Sequence, residues 1–210
     1  MYDLIILSLI TGGVAFVAGE ALRRKYKGSN EISRKLVHLL HGLVLACWAF
    51  IAPVWLIISA EVLFFACVLA VRYLNLLPWM RQVGRVSYGD LLYPIGVILA
   101  VLLADSPAVL AAAILQLALA DSAAAIIGKK WGHTKQYISF GQAKSVAGSM
   151  AFLVVSAAIT GLFMVSGLIE YSLALLIIAP LILTAVENVA GYGFDNAFIP
   201  VVAVVLLNLA

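Results

Sequence analysis

The sequence predicts an all-α, polytopic membrane bundle of about eight transmembrane helices, on three observations. Of the 210 residues 65% are hydrophobic and 11% charged, with a mean hydropathy of +1.13; a soluble domain needs far more charged surface. Apolar runs of roughly 15 to 20 residues recur along the whole chain, each long enough to cross a bilayer or nearly so. All 13 Lys and Arg fall in three intervals: Arg23 to Lys35 (six), Arg72 to Arg85 (three) and Lys129 to Lys144 (four). Every second loop is therefore basic and the alternate loops are not, the pattern expected when the basic loops face the cytoplasm.

The expected spans are residues 3–22, 35–51, 53–72, 90–104, 107–127, 146–165, 171–188 and 196–210. Backbone polar groups in lipid must be satisfied within their own segment, so these runs are helices. The first begins with the acidic Asp3 and has no basic stretch before it, which argues against a cleaved signal peptide. With the basic loops inside, both termini fall outside. The hairpins at Ile51 to Pro53 and Ala104 to Pro107 are tight. The last span is short, and a tilt against a thinned bilayer or burial by neighbours would accommodate it. Cys47 and Cys67 sit inside apolar runs and are expected to be packing residues. The longest polar interval, Gly128 to Val146, is too short for a separate domain, so residues 1–210 are read as a single transmembrane domain. Any active site then lies among the helices or at their ends, and its substrate is a lipid or a species crossing the membrane. No nucleic-acid partner is expected, and association into a homo-oligomer is left open.

Four acids stand in or near these spans, where a carboxylate costs a few kcal/mol or more unless it has a role. Asp121 has Ala125 and Gly128 at i+4 and i+7, a small, close-packed face, so it points into the bundle as a metal or substrate ligand or as an ion-pair partner. Glu61 lies furthest from any basic loop, and structural and functional roles weigh equally. Asp90 opens its span, where an acid suits a helix N-terminus. Glu187 and Asp195 bracket a turn rich in glycine and amides with no Lys or Arg, ending in Asn196. Hard divalent cations such as Mg²⁺ prefer such carboxylate and amide oxygens.

The complementary positive half is the third basic loop. Lys129, Lys130, Lys135 and Lys144 can neutralise a polyphosphate, and Gly128, Gly132 and Gly141 let backbone N–H groups approach it. The same lysines would also serve to fix topology against anionic headgroups. Lys144-Ser145 precedes Gly148 and Ser149 at the start of a span, a helix N-terminus suited to anions. The stretch from Gly141 to Ser145 is not a Walker A loop, because Ala143 stands where glycine is required and the spacing is too short. In the first loop Arg34, His38 and His41 share one helix face. They are candidates for phosphate contact or acid–base work. With no third soft ligand near, zinc is not expected.

Four patterns resemble the polyprenol kinase family of phytol, dolichol and CTP-dependent diacylglycerol kinases. They are Arg34-Lys35-x-x-His38-x-x-x-Gly42, Asp121-Ser-Ala-Ala-Ala-x-x-Gly128-x-x-x-Gly132, Lys144-Ser-x-x-Gly148-Ser and Glu187-x-x-x-Gly191-x-x-x-Asp195-Asn196-x-x-x-Pro200. They occur in order from residue 34 onward. The family is similar in turn to the membrane cytidylyltransferases, whose paired aspartates would fall near Gly191 to Asn196; here one Asp stands there. The resemblance implies phosphoryl transfer from a nucleoside triphosphate, commonly CTP, to the hydroxyl of a membrane isoprenoid alcohol. On this reading Asp121 with Asp195, Asn196 or Glu187 holds Mg²⁺. Lys144 and Ser145, with Lys129, Lys130 and the Gly128 and Gly148 backbones, hold the triphosphate. Arg34, Lys35 and His38 contact phosphate or orient the hydroxyl. Asp90, Asp121 and His38 are all candidates for the general base. The competing readings are a phosphatidate cytidylyltransferase and a small transporter with Glu61 and Asp121 on an ion path. The plasma membrane is the expected location in a prokaryote, with the site facing the cytoplasm.

Overall fold

The computed structural model describes Ala21, residues 30–74 and residues 87–210. The expected first span, residues 3–22, and most of the first two basic loops lie outside the described residues. What remains is a helical bundle with one small hairpin. Helix α1 (Asn30–Ile51) turns at Pro53 into α2 (Val54–Tyr73). Pro53 carries φ −68° and ψ 147°, so the ring that cannot continue one helix sets the entry to the next. Helix α3 (Gly89–Leu103) leads through Ser106 into α4 (Pro107–Leu115); the Ser106 hydroxyl accepts from Val109 N–H at 3.2 Å, an N-cap ahead of a proline at the first helical position.

The helix does not stop after α4. One π-helical turn, Gln116–Ala120, joins it to α5 (Asp121–Trp131), making an apolar rod of 25 residues that is the most buried of the long helices. Its alanines at 108, 111, 112, 113, 118 and 120 are buried and let neighbours pack close. The wide turn has an anchor: Gln116 Nε2 donates to Ser156 O and to Thr160 Oγ1, both at 3.2 Å. Helices α6 (Val146–Val165), α7 (Leu173–Val189) and α8 (Asp195–Leu207) complete the bundle, with α3 packed along α8 and α5 along α6.

Four of these segments, Arg34–Ile51, Val54–Tyr73, Pro107–Trp131 and Val146–Val165, are long and apolar enough to cross a membrane; α3, α7 and α8 are apolar but shorter. The surface fits a membrane protein, with Phe50, Trp55, Leu102, Leu162 and Ile177 outward while Lys35, Glu61, Asp121 and Asn196 are buried. The expected count of about eight spans is thus not reached among the described residues, since α8, at 13 residues, is about 20 Å long. Cys47 and Cys67 correct another expectation: both are free thiols exposed on the helix surface, not core packing.

The third basic loop holds structure that helical periodicity does not predict. Strands β1 (Gln136–Ser139) and β2 (Gln142–Ser145) pair antiparallel, Ser139 opposite Gln142, across the two-residue turn Phe140-Gly141. Both turn residues have positive φ, 45° and 76°, as a type I′ turn demands. A second left-handed pair, Tyr192 (φ 57°) and Gly193 (φ 93°), shapes the loop between α7 and α8. Tyr192 O accepts from Tyr88 N–H at 2.8 Å, which ties that loop to the start of α3.

Candidate active site

The site is assembled where α1, α5, α7 and α8 end around the hairpin. A cavity of 360 Å³ there is lined by Lys35, Asp121, Gly128, Lys129, Lys144, Ser145, Gly148, Glu187 and Asp195, with His133, Gln136 and Ser149 among its other residues. Its wall carries three lysines and three carboxylates.

Asp121 owes its place to the π turn that ends just before it. A π turn shifts the register of the following residues and re-aims them, and such turns recur at functional sites. The carboxylate is 3% exposed and forms an ion pair with Lys35, buried to the same extent on the second turn of α1. Two charges this far from water persist because they satisfy each other.

Lys144 forms the second pair. It projects from β2 and donates to the side chain of Glu187 and to Glu187 O, the latter at 2.7 Å. The hairpin is fixed for this purpose by Tyr137, opposite Lys144 in register, whose hydroxyl hydrogen-bonds Ser149 Oγ at 2.6 Å and donates to Asn188 Oδ1. Ser149 also donates to Asn188 at 2.8 Å. The Oε2 atom of Glu187 is buried without a hydrogen-bond partner among the described residues.

Ser145 caps α6, accepting from Gly148 N–H at 3.1 Å. A Cβ on Gly128 would stand 2.8 Å from Ser145 Oγ, and one on Gly148 would stand 2.9 Å from Ala124 O. These glycines therefore let α5 and α6 meet backbone to backbone and set the capped N-terminus of α6 against the cavity wall. Asp195, at the start of α8, accepts on Oδ1 from Asn196 N–H at 3.0 Å and from Asn196 Nδ2 at 2.9 Å. It makes no ion pair with any described residue.

Other predicted residues lie off the cavity wall. Asp90 is held by Arg72, which donates from Nε to Oδ2 at 2.9 Å and from Nη2 to Oδ1 at 2.6 Å and also reaches Ser87 O. That is the geometry of a clamp between α2 and α3; Asp90 also stands in the first turn of α3, as an acid at a helix N-terminus should, where Oδ1 accepts from Leu91 N–H at 3.2 Å, and it lies off the cavity wall. Arg34, His38 and Asn196 form a buried layer beside the cavity. Arg34 donates to Ser87 Oγ at 3.3 Å, His38 stacks on Tyr93 with ring centroids 4.6 Å apart, and Asn196 Nδ2 is held by Gly193 O and Asp195. Lys130 points outward over the Trp131 ring at 4.4 Å. Glu61, left open by the sequence, is fully buried and meets His41 Nε2 at 2.7 Å. Sequence reasoning did not single out His133, Gln136, Tyr137 or Asn188; only their nearness to Lys135, Lys144 and Glu187 in the chain hinted at them.

The wall fits a hard cation that completes its shell elsewhere. Among the described residues no three of His, Cys, Asp and Glu converge closely enough to hold a metal ion alone. Mg²⁺ is commonly bound by one or two carboxylates with waters and substrate phosphates, and Asp121, Asp195 and the unpartnered oxygen of Glu187 supply that donor type.

A helical protein with apolar outer faces and a lysine- and carboxylate-lined cavity at its helix ends is the class that fold and site define. The sequence is 32% identical over 196 residues to a phytol kinase of Synechocystis sp., a match covering 90% of this chain and 83% of the relative. The chain belongs to the polyprenol and phytol kinase family. No protein-family model matches the chain, and no solved structure matches it.

Proposed function

We propose that this protein is a membrane-embedded kinase that transfers the terminal phosphoryl group of a nucleoside triphosphate, CTP by family resemblance, to the hydroxyl of a lipid alcohol of the phytol or polyprenol class. The observation that carries the reading is the sharing of one cavity by Lys35, Lys129 and Lys144 with Asp121, Glu187 and Asp195. Phosphoryl transfer asks little covalent chemistry of a protein; it needs positioning and neutralisation of charge spread over phosphate oxygens.

The two lysine–carboxylate pairs are half-sites. A triphosphate draws Lys35 and Lys144 onto its oxygens, with Lys129 and the positive N-terminal end of α6 beside them. Asp121, Asp195 and Glu187 would hold Mg²⁺, which would supply positive charge to offset that of the phosphates. The alcohol oxygen attacks the terminal phosphorus, the bond from that phosphorus to the bridging oxygen breaks, and a nucleoside diphosphate leaves. The hydroxyl proton passes to a cavity carboxylate, and Asp195 is the one that forms no ion pair with a described lysine. Arg34 and His38, in the layer beside the cavity, orient the acceptor. The active site faces the cytoplasm on the charge pattern of the loops.

The test is turnover by the purified protein in lipid nanodiscs, with CTP, ATP and UTP each offered against a panel of lipid alcohols and phosphatidate. Release of nucleoside diphosphate with a lipid monophosphate is expected. Pyrophosphate release with a nucleotide-linked lipid would instead identify a cytidylyltransferase, and ion flux without nucleotide turnover a transporter.

A further inference from the structure

Behind the polar cavity lies a second concavity that the catalytic reading does not use. It is an apolar groove of 740 Å³ between the C-terminal half of α7 and the N-terminal half of α8, walled by Ala185 and Val186 on α7, Phe194 at the cap of α8 and Phe198 on α8. Phe140 from the hairpin tip and Tyr192 from the α7–α8 loop form its rim. Its volume falls in the range of small-molecule sites, roughly 300 to 1,000 Å³.

Two independent observations separate this groove from ordinary lipid-facing surface. The first is continuity with the site. Val186 and Phe194 line the groove while the next residue in each case, Glu187 and Asp195, lines the cavity, so the same two helix ends wall both. Between them stand Gly191, which has no side chain, and the Gln142 side chain 3.5 Å from where a Cβ on Gly191 would lie.

The second is strain. Among the described residues Phe140 and Tyr192 are the non-glycine positions with positive φ, and both form the rim. A bulky side chain is disfavoured in that region, and a type I′ turn prefers Asn at the position of Phe140. Such strain persists where the side chain has a task. The Tyr192 hydroxyl lies 3.5 Å from where a Cβ on Gly141 would be, so the two strained turns lean on each other over the groove mouth.

We infer that this groove binds the hydrocarbon chain of the lipid-alcohol substrate, with Phe140 and Tyr192 as the gate that delivers the hydroxyl past Gly191 to the cavity. The inference rests on the kinase reading for its substrate class. The chain enters sideways from the bilayer, the groove sets which chain fits, and the aromatic rim holds the head of the chain at the level of Glu187 and Asp195.

Photo-crosslinking with a lipid alcohol carrying a diazirine at the far end of its chain tests the groove whether or not turnover occurs. Label is expected on peptides within residues 182–202, displaced by unlabelled lipid alcohol and not by excess phospholipid. Ala185→Trp, at an exposed groove position, should raise KM for a long-chain alcohol about tenfold while leaving KM for a short-chain alcohol and for the nucleotide unchanged. Phe140→Asn suits the turn, so thermal stability should hold or rise while KM for the lipid alcohol increases several-fold. Label mapping elsewhere, equal displacement by phospholipid, or chain-length-independent effects would overturn the groove and leave the kinase reading standing. Competable label in the groove without phosphorylation of any alcohol would support the groove and overturn the kinase reading.

Discussion

Lys144 and Glu187, 43 positions apart in sequence, are joined twice, through the Glu187 side chain and through its backbone carbonyl, and this double contact fastens the β-hairpin to the end of α7. The same pair supplies the cavity with one cation and one carboxylate. A structural and a functional role are thus superposed, and the two separate by mutation.

Lys144→Met should abolish turnover and destabilise the protein by about 3 to 5 kcal/mol, because a buried carboxylate is left without its partner. The double variant Lys144→Met with Glu187→Gln should recover much of that stability and none of the activity. Melting curves beside turnover check both. A double variant regaining turnover along with stability would mean the pair is only a clasp.

Asp121→Asn should lower kcat by about 10² to 10³-fold, the scale of losing one preorganised charged group. The fold should survive, since the amide still accepts from Lys35. Chelation of divalent cations should stop the wild-type enzyme and restored Mg²⁺ should restart it. Loss of Asp121 should also weaken the dependence on Mg²⁺ concentration, read as a shift in the half-saturating value.

The Arg72–Asp90 clamp predicts the opposite signature. Asp90→Ala should lower thermal stability by several degrees, since it strands the Arg72 guanidinium, yet leave kcat within about tenfold of wild type. A kcat loss matching that of Asp121→Asn, at full stability, would return Asp90 to the catalytic machinery.

Two glycines of α6 separate packing from conformation. Gly148→Ala forces a Cβ against Ala124 O at 2.9 Å and Ser145 Oγ at 3.0 Å, and should cost about 1 to 3 kcal/mol with reduced nucleotide affinity. Gly161→Ala, further along α6, meets only Leu176 at 3.4 Å and should be neutral or stabilising by up to about 1 kcal/mol, with activity unchanged. Thermal melts and nucleotide titrations on both variants check the contrast.

Much of the site's composition was legible in the sequence, because charge in an apolar chain is conspicuous. Asp121, Lys144, Glu187 and Asp195 stand out against Leu, Ala and Val, and each is found on one cavity wall. What the pattern missed is instructive. The Phe140-Gly141 turn lacks the Asn-Gly signature of a tight hairpin, and the strands beside it are four residues each, too short to show alternation against a background of basic residues. The π turn at Gln116–Ala120 depends on Gln116 finding Ser156 and Thr160 on another helix, a pairing no local window contains. The place of Asp90 in the first turn of α3 was legible, but its clamp to Arg72, 18 positions earlier beyond a loop, was not.

The sequence by itself determined that this chain makes apolar helices with its basic residues gathered in three intervals, since hydropathy and charge position are properties of short windows and act through the solvent each window prefers. Only the tertiary structure decided which acid meets which partner. Asp121 with Lys35, Asp90 with Arg72, Glu61 with His41 and Glu187 with Lys144 are matches between separate elements, and in a medium that solvates polar groups poorly the geometry of packing selects among partners that composition alone leaves equivalent.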